Sequence, residues 1–179
     1  MKCFVPIVIG LMGLAIAIGC SNMTVSIDRE AEIAAVEQAI NNSIKWCLPE
    51  KDREKLYAHV AKDSSFFIFH PDSKSTIVGF DSFQQFAETI FFDPRFRAVS
   101  SEVKDLRVNL SGDGNVAWFS CLLDDYGEWD GNPVGWTDAR WTGVLVKREG
   151  IWLMVQQHFS LASDAEEQTE AEDSDAKNP

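Results

Sequence analysis

The stretch from Ala139 to Ser160, ARWTGVLVKREGIWLMVQQHFS, decides how this chain folds. It contains two runs dense in β-branched and aromatic residues, Ala139 to Lys147 and Ile151 to Ser160, separated by Arg148-Glu149-Gly150. Such runs favour strands, and glycine in the third loop place supplies the positive φ that a three-residue hairpin needs. That loop predicts Lys147 opposite Ile151, Thr142 opposite Gln156 and Arg140 opposite His158. Side chains alternate along a strand, so Asp138, Arg140, Thr142, Val144 and Val146 are expected on one face with Trp152, Met154, Gln156, His158 and Ser160. That face is apolar near the turn and polar at its far end, the composition of a ligand pocket. The expectation depends on the turn: a two-residue loop would send Arg140 and His158 to opposite faces.

Upstream, Ile33, Val36, Ile40, Ile44 and Cys47 recur at gaps of three and four, the apolar stripe of one helix. Asp28, Glu30 and Glu32 lie at its start, where the helix dipole favours acids, and Pro49 ends it. Glu50 to Val60 predicts a second, shorter helix with Leu56, Tyr57 and Val60 turned inward. Ser64 to His70, SSFFIFH, reads as a strand and Ser75 to Val78 as its short return. Asp81 as N-cap, with Gln84 three residues later, opens a third helix that stops before Pro94. Strands over 96–110, 115–126 and 134–147 precede the last one. The order predicts an α+β domain in which one strongly curved antiparallel sheet wraps around the N-terminal helices.

Residues 1–19 read as a lipoprotein signal peptide: Lys2 is followed by an uncharged apolar run ending in Ala17-Ile18-Gly19-Cys20. The run is too short for a membrane span of roughly 20 residues. Cys20 is the expected lipidation site, 20–27 a tether, 28–161 the folded domain and 162–179 an acidic tail. Acyl chains on Cys20 would anchor the protein on the periplasmic or extracellular side of a bacterial cell envelope. From Asp164 onward the tail has seven acids against one lysine, too little apolar surface to order itself. The formal net charge of −12 and the lack of a basic cluster argue against a nucleic-acid partner. Cys47 and Cys121 are read as buried free thiols, a disulfide being the alternative outside the cytoplasm.

Arg140-x-Thr142, Gly150-x-Trp152 and His158-x-Ser160 in the closing hairpin resemble the SnoaL-like branch of the nuclear transport factor two-like superfamily. Trp46 late in the first helix, Asp63 before the first strand and Gly79 before the third helix fit the same likeness, which covers roughly 28–161. It implies a cone-shaped fold of the ketosteroid isomerase and scytalone dehydratase type. The superfamily includes isomerases, dehydratases, cyclases, epoxide hydrolases and domains that only bind or assemble, so the fold alone does not choose among them.

His158 is the first candidate for chemistry, as a general base with a pKa near neutrality, set against a histidine that only holds a strand end. Arg140 beside it needs a carboxylate, supplied by a ligand or by Asp138 in a structural pair. Asp125, in the acidic and aromatic stretch Asp124 to Gly131, is a second candidate base, with Trp129 or Trp136 closing over an apolar ligand. Gln156, Trp46, Phe69 and Trp152 complete the expected ligand-binding set. No metal is expected: the acidic stretch lacks calcium-loop spacing, and His59, His70 and His158 lack zinc spacing. No cofactor is expected either, since phosphate-binding and dinucleotide fingerprints are absent from the sequence. The leading reading is a lipid-anchored domain that binds a small, partly apolar molecule in a conical pocket. The alternatives are a cofactor-independent isomerase, dehydratase or hydrolase, and a non-catalytic module that forms a homodimer. For that dimer Trp141, Leu145, Leu153 and Phe159 are the expected outer-face residues.

Overall fold

The computed structural model describes residues 27–71 and 76–162. The signal segment with Cys20, most of the tether and nearly all of the acidic tail lie outside the described residues. The first apolar stripe forms α1, Arg29–Ile44, and buries Val36 and Ile40 completely. Asp28 caps it by accepting from the Ala31 N–H at 3.1 Å, and Glu30 and Glu32 occupy the first turn. A 3-10 turn over Lys45–Cys47 leads to α2, Arg53–Ala58, which Asp52 caps in the same way. Two short strands follow, β1 (Phe67–Phe69) and β2 (Ile77–Val78). α3, Phe80–Phe86, continues as a π turn over Ala87–Phe91. Its N-cap is Gly79 rather than Asp81: the Gly79 N–H is tied to the Phe66 carbonyl at 2.8 Å, and its φ of 79° turns the chain into the helix.

Four long strands complete the domain: β3 (Phe96–Leu110), β4 (Val116–Trp129), β5 (Asn132–Arg148) and β6 (Ile151–Ser160). They build one curved six-stranded sheet in the order β2-β1-β6-β5-β4-β3. The sheet is mixed rather than wholly antiparallel, because β1 lies parallel to β6. Bulges interrupt the register between β3 and β4, between β4 and β5, and between β5 and β6. Each adds a residue to one strand and bends it, which is how a long sheet acquires curvature. The core fills the concave side, where α1 and α3 lay Val36, Ile40 and Phe83 against Phe119, Leu145 and Met154.

The closing hairpin departs from the expected pairing in two ways. Its loop is two residues long, with Glu149 and Gly150 at φ values of 52° and 82°, and Arg148 pairs with Ile151. Positive φ at both positions gives a turn whose twist matches the flanking strands. The second departure is a bulge. Leu145 pairs with Met154 and Val144 with Gln156, leaving Val155 as the extra residue on β6. Beyond it Thr142 pairs with His158 and Arg140 with Ser160. Arg140 and His158 therefore do share a face, but it is the outer one, and both are exposed.

The inner face takes the residues of opposite parity. Ala139, Trp141, Gly143 and Leu145 point inward from β5, as do Gln157 and Phe159 from β6, all buried. This overturns the expectation that Trp141, Leu145 and Phe159 form an outer dimer surface: they are 0%, 0% and 5% exposed. Gly143 makes the bulge possible. A Cβ added there would stand 2.7 Å from the Gln156 carbonyl oxygen and 2.5 Å from the Phe119 ring.

At the turn end, Trp152 is buried as part of the wall behind α1. Its indole N–H donates to Glu32 at 2.9 Å, and Lys147 pairs with the other carboxylate oxygen at 2.5 Å. These hydrogen bonds, that from Lys147 foremost, hold Glu32 below the usual carboxylate range and fasten the helix to the hairpin. Cys47 and Cys121 are buried free thiols, and burial pushes their pKa values up to about 11 and about 12.

Candidate functional site

The site begins with alternation along β4. Ala117, Phe119, Cys121 and Leu123 are buried on the concave face, and Asp125 is the next residue in that series. A carboxylate thus stands where the pattern calls for an apolar side chain. Ser101 of β3 is its cross-strand neighbour and donates its hydroxyl to Asp125 at 2.5 Å. On the other side a bulge places both Thr137 and Asp138 of β5 opposite Asp124, so that Trp136 comes to pair with Asp125. Asp138 adopts a φ of 51°, and its N–H donates to the Asp124 carboxylate at 2.8 Å, fixing the extra residue. Gly135 then passes so close that an added Cβ would lie 2.2 Å from the Asp125 carbonyl oxygen. Only glycine fits that position, and its φ is 145°.

Asp125 and Trp136 belong to the wall of a cavity of about 300 Å³ at the mouth of the cone. The wall is built largely from rings, including Trp46, Phe86, Phe91, Phe96, Trp136 and Phe159. Trp46 meets Phe91 at 5.1 Å between ring centres, Phe91 meets Phe86 at 5.2 Å, and Trp136 meets Phe159 at 5.4 Å. His70, at the end of β1, packs between Phe86 and Phe159, each 5.6 Å away. Gln157, Tyr126 and the Cys47 thiol add polarity. Burial raises the pKa of Asp125 above the ordinary aspartate value, and the Ser101 hydroxyl offsets part of that rise.

The family model for the SnoaL-like domain matches residues 36–164. This chain belongs to the SnoaL-like domain family. Among curated protein sequences nothing matches it. Solved structures supply the wider likeness. An NTF2-like protein of unknown function from Pseudomonas putida is 18% identical, with a TM-score of 0.59 over 80% of this chain and 94% of its own. A candidate scytalone dehydratase from Novosphingobium aromaticivorans is 14% identical, with a TM-score of 0.61 over 75% and 87%. The association domain of CaMKII from C. elegans is 21% identical, with a TM-score of 0.51 over 74% and 95%. At these identities the likeness establishes the nuclear transport factor two-like fold and nothing about chemistry.

Within the SnoaL-like domain the residues expected to act together are dispersed. Trp46 and Asp125 reach the cavity, as does Trp136, whereas Trp129 lies beneath the Arg95 guanidinium at 4.6 Å. Arg140, Gln156 and His158 stand exposed on the outer face: the Val155 bulge turns Gln156 and His158 there, and Arg140 takes the outer side in the unbroken alternation of β5. Phe69 is 46% exposed on that face, its ring 5.8 Å from His158. Trp152 is buried against α1, away from the cavity. Asp138 pairs with Lys104 at 2.5 Å rather than with Arg140. Gln157, Phe159 and His70 are cavity residues that the sequence reading passed over. The bulge hid the first two. For His70 the density of aromatic residues in the strand just before it was the available signal.

Because burial raises its pKa, Asp125 binds a proton in the folded state at pH values where the unfolded chain has released it. The contribution of Asp125 to folding stability therefore falls as pH rises from about 4, the unfolded value, through the higher folded pKa. Asp125→Asn should raise stability at pH 7 in a denaturant titration. The gain should vanish near pH 3, where the wild-type carboxyl is protonated in both states.

Proposed function

We propose that this SnoaL-like domain binds a small, partly apolar molecule in the aromatic cavity, with Asp125 meeting its polar end. The observation that carries the reading is a desolvated carboxylate, held by one hydroxyl, in the wall of a ring-lined space. Burying a carboxylate costs stability, and a fold keeps such a cost where the group is used. The cavity volume is at the small end of ligand sites, which run from about 300 Å³ upward.

The same group supports a catalytic reading. A carboxylate with a raised pKa, sheltered from water, is suited to take a proton from a bound molecule without a cofactor. The neighbour described as a candidate scytalone dehydratase is consistent with this class of reaction. His158 has no part in it, being exposed on the far side of the sheet.

We also propose that the domain is tethered to a bacterial membrane through lipidated Cys20, on the strength of the apolar run that ends in Ala17-Ile18-Gly19-Cys20. Metabolic labelling with a fatty acid should mark the wild type and not Cys20→Ser; equal labelling would remove the anchor.

A fragment screen by NMR on the full chain tests the binding reading. Bound fragments should shift the indole resonances of Trp46 and Trp136 and slow alkylation of Cys47, leaving His158 unmoved. For any substrate that is turned over, Asp125→Asn should lower the rate by about 10²- to 10⁴-fold. Hits that cluster at His158 and Phe69 would place the site on the outer face instead.

A further inference from the structure

Among the described residues, Asp125 is the one acid in the cavity wall, and no lysine or arginine lines it. Its hydrogen bond comes from the neutral Ser101 hydroxyl. The basic side chains nearby are engaged elsewhere. Lys51 donates to the Asp93 carbonyl at 2.7 Å and lies 5.4 Å from the centre of the Phe96 ring. Lys104 bridges Asp124 and Asp138, and Arg97 pairs with Glu128. Among the described residues, no lysine or arginine is paired with the Asp125 carboxylate. The other titratable groups facing the cavity are His70, Cys47 and Tyr126.

Around this carboxylate the wall is lined by aromatic rings. Trp136 is its cross-strand neighbour, and Trp46, Phe86 and Phe159 lie on the same wall. A ring face attracts a positive charge within about 6 Å of its centre, most strongly for tryptophan. A partly buried carboxylate and aromatic rings around it favour the same ligand charge. An anion would be repelled by Asp125, and a neutral hydroxyl or carbonyl would leave its charge uncompensated. The net charge of −12 draws cations toward the molecule as a whole.

We infer that the cavity takes an organic ammonium, an amine on a compact apolar or aromatic body, with the charged nitrogen held between Asp125 and the Trp136 ring. This rests on the binding reading above and names the ligand class for the same site.

The test compares three probes of nearly equal shape against the full chain: 2-phenylethylamine, 2-phenylethanol and 3-phenylpropanoate. Calorimetry gives the affinities, and the indole resonances of Trp46 and Trp136 give the location. At pH 8 the amine is charged. The amine should bind at least ten-fold more tightly than the alcohol, and the carboxylate probe should bind least. Asp125→Asn should bring the amine to within about three-fold of the alcohol. Trp136→Leu, which keeps an apolar wall without a ring, should cost the amine more than the alcohol. An alcohol that binds as well as the amine would overturn the ammonium assignment while leaving the binding reading intact. So would an amine preference that survives both substitutions. If neither probe moves the two indoles at millimolar concentration, the binding reading falls together with it.

Discussion

A strand has only two sides, and one extra residue exchanges them for everything beyond it. In this domain that residue is Val155. Before it, β6 directs Trp152 and Met154 into the core; after it, Gln157 and Phe159 take over the inner positions and His158 is turned to solvent. β5 runs past the bulge with its own alternation unbroken from Ala139 to Leu145, so its buried series meets the new inner series of β6. Shape and chemistry of the cone mouth follow from that one insertion. With it, Phe159 closes the wall beside Trp136; without it, a histidine would stand there.

The second bulge, on β5 opposite Asp124, does the complementary work. It turns Trp136 toward Asp125, held by an aspartate that tolerates a left-handed backbone and by a glycine that lets two strands nearly touch. A carboxylate in such a place works against folding, since its charged form has lost water and gained one hydroxyl partner. Several other acids of the described residues are firmly paired. Glu32 receives Trp152 and Lys147, Asp124 receives Lys104 and a backbone N–H, and Asp63 receives Ser65 and Arg148. Asp125 is instead held by one hydroxyl, and that contrast supports the role proposed for it.

The architecture was legible because periodicity reports it directly. The gaps from Ile33 to Ile44 and the long β-branched runs located α1 and the four long strands, and the SnoaL-like resemblance gave their arrangement. Of the residues expected at the site, Asp125 was picked from the acidic and aromatic stretch and Trp46 from the family resemblance, and both line the cavity. Arg140, Gln156, His158, Trp152 and Asp138 were grouped by counting from an assumed three-residue loop, and no count survives a bulge; Phe69 was named only as aromatic lining. Gly143 was the available warning, a glycine inside a strand that otherwise favours branched side chains. The parallel pairing of β1 with β6 was equally hidden, since it depends on which strand the chain returns to and on no local pattern.

Thiol labelling at adjacent positions of β6 tests the inversion of faces most directly. In the folded full chain, His158→Cys should react with a small maleimide at nearly the rate of the unfolded protein. Gln157→Cys should react at least ten times more slowly, and both should react equally in denaturant. A fast cysteine at 157 and a protected one at 158 would show the polar end of the hairpin facing inward, and the cavity assigned to Asp125 would then have the wrong lining.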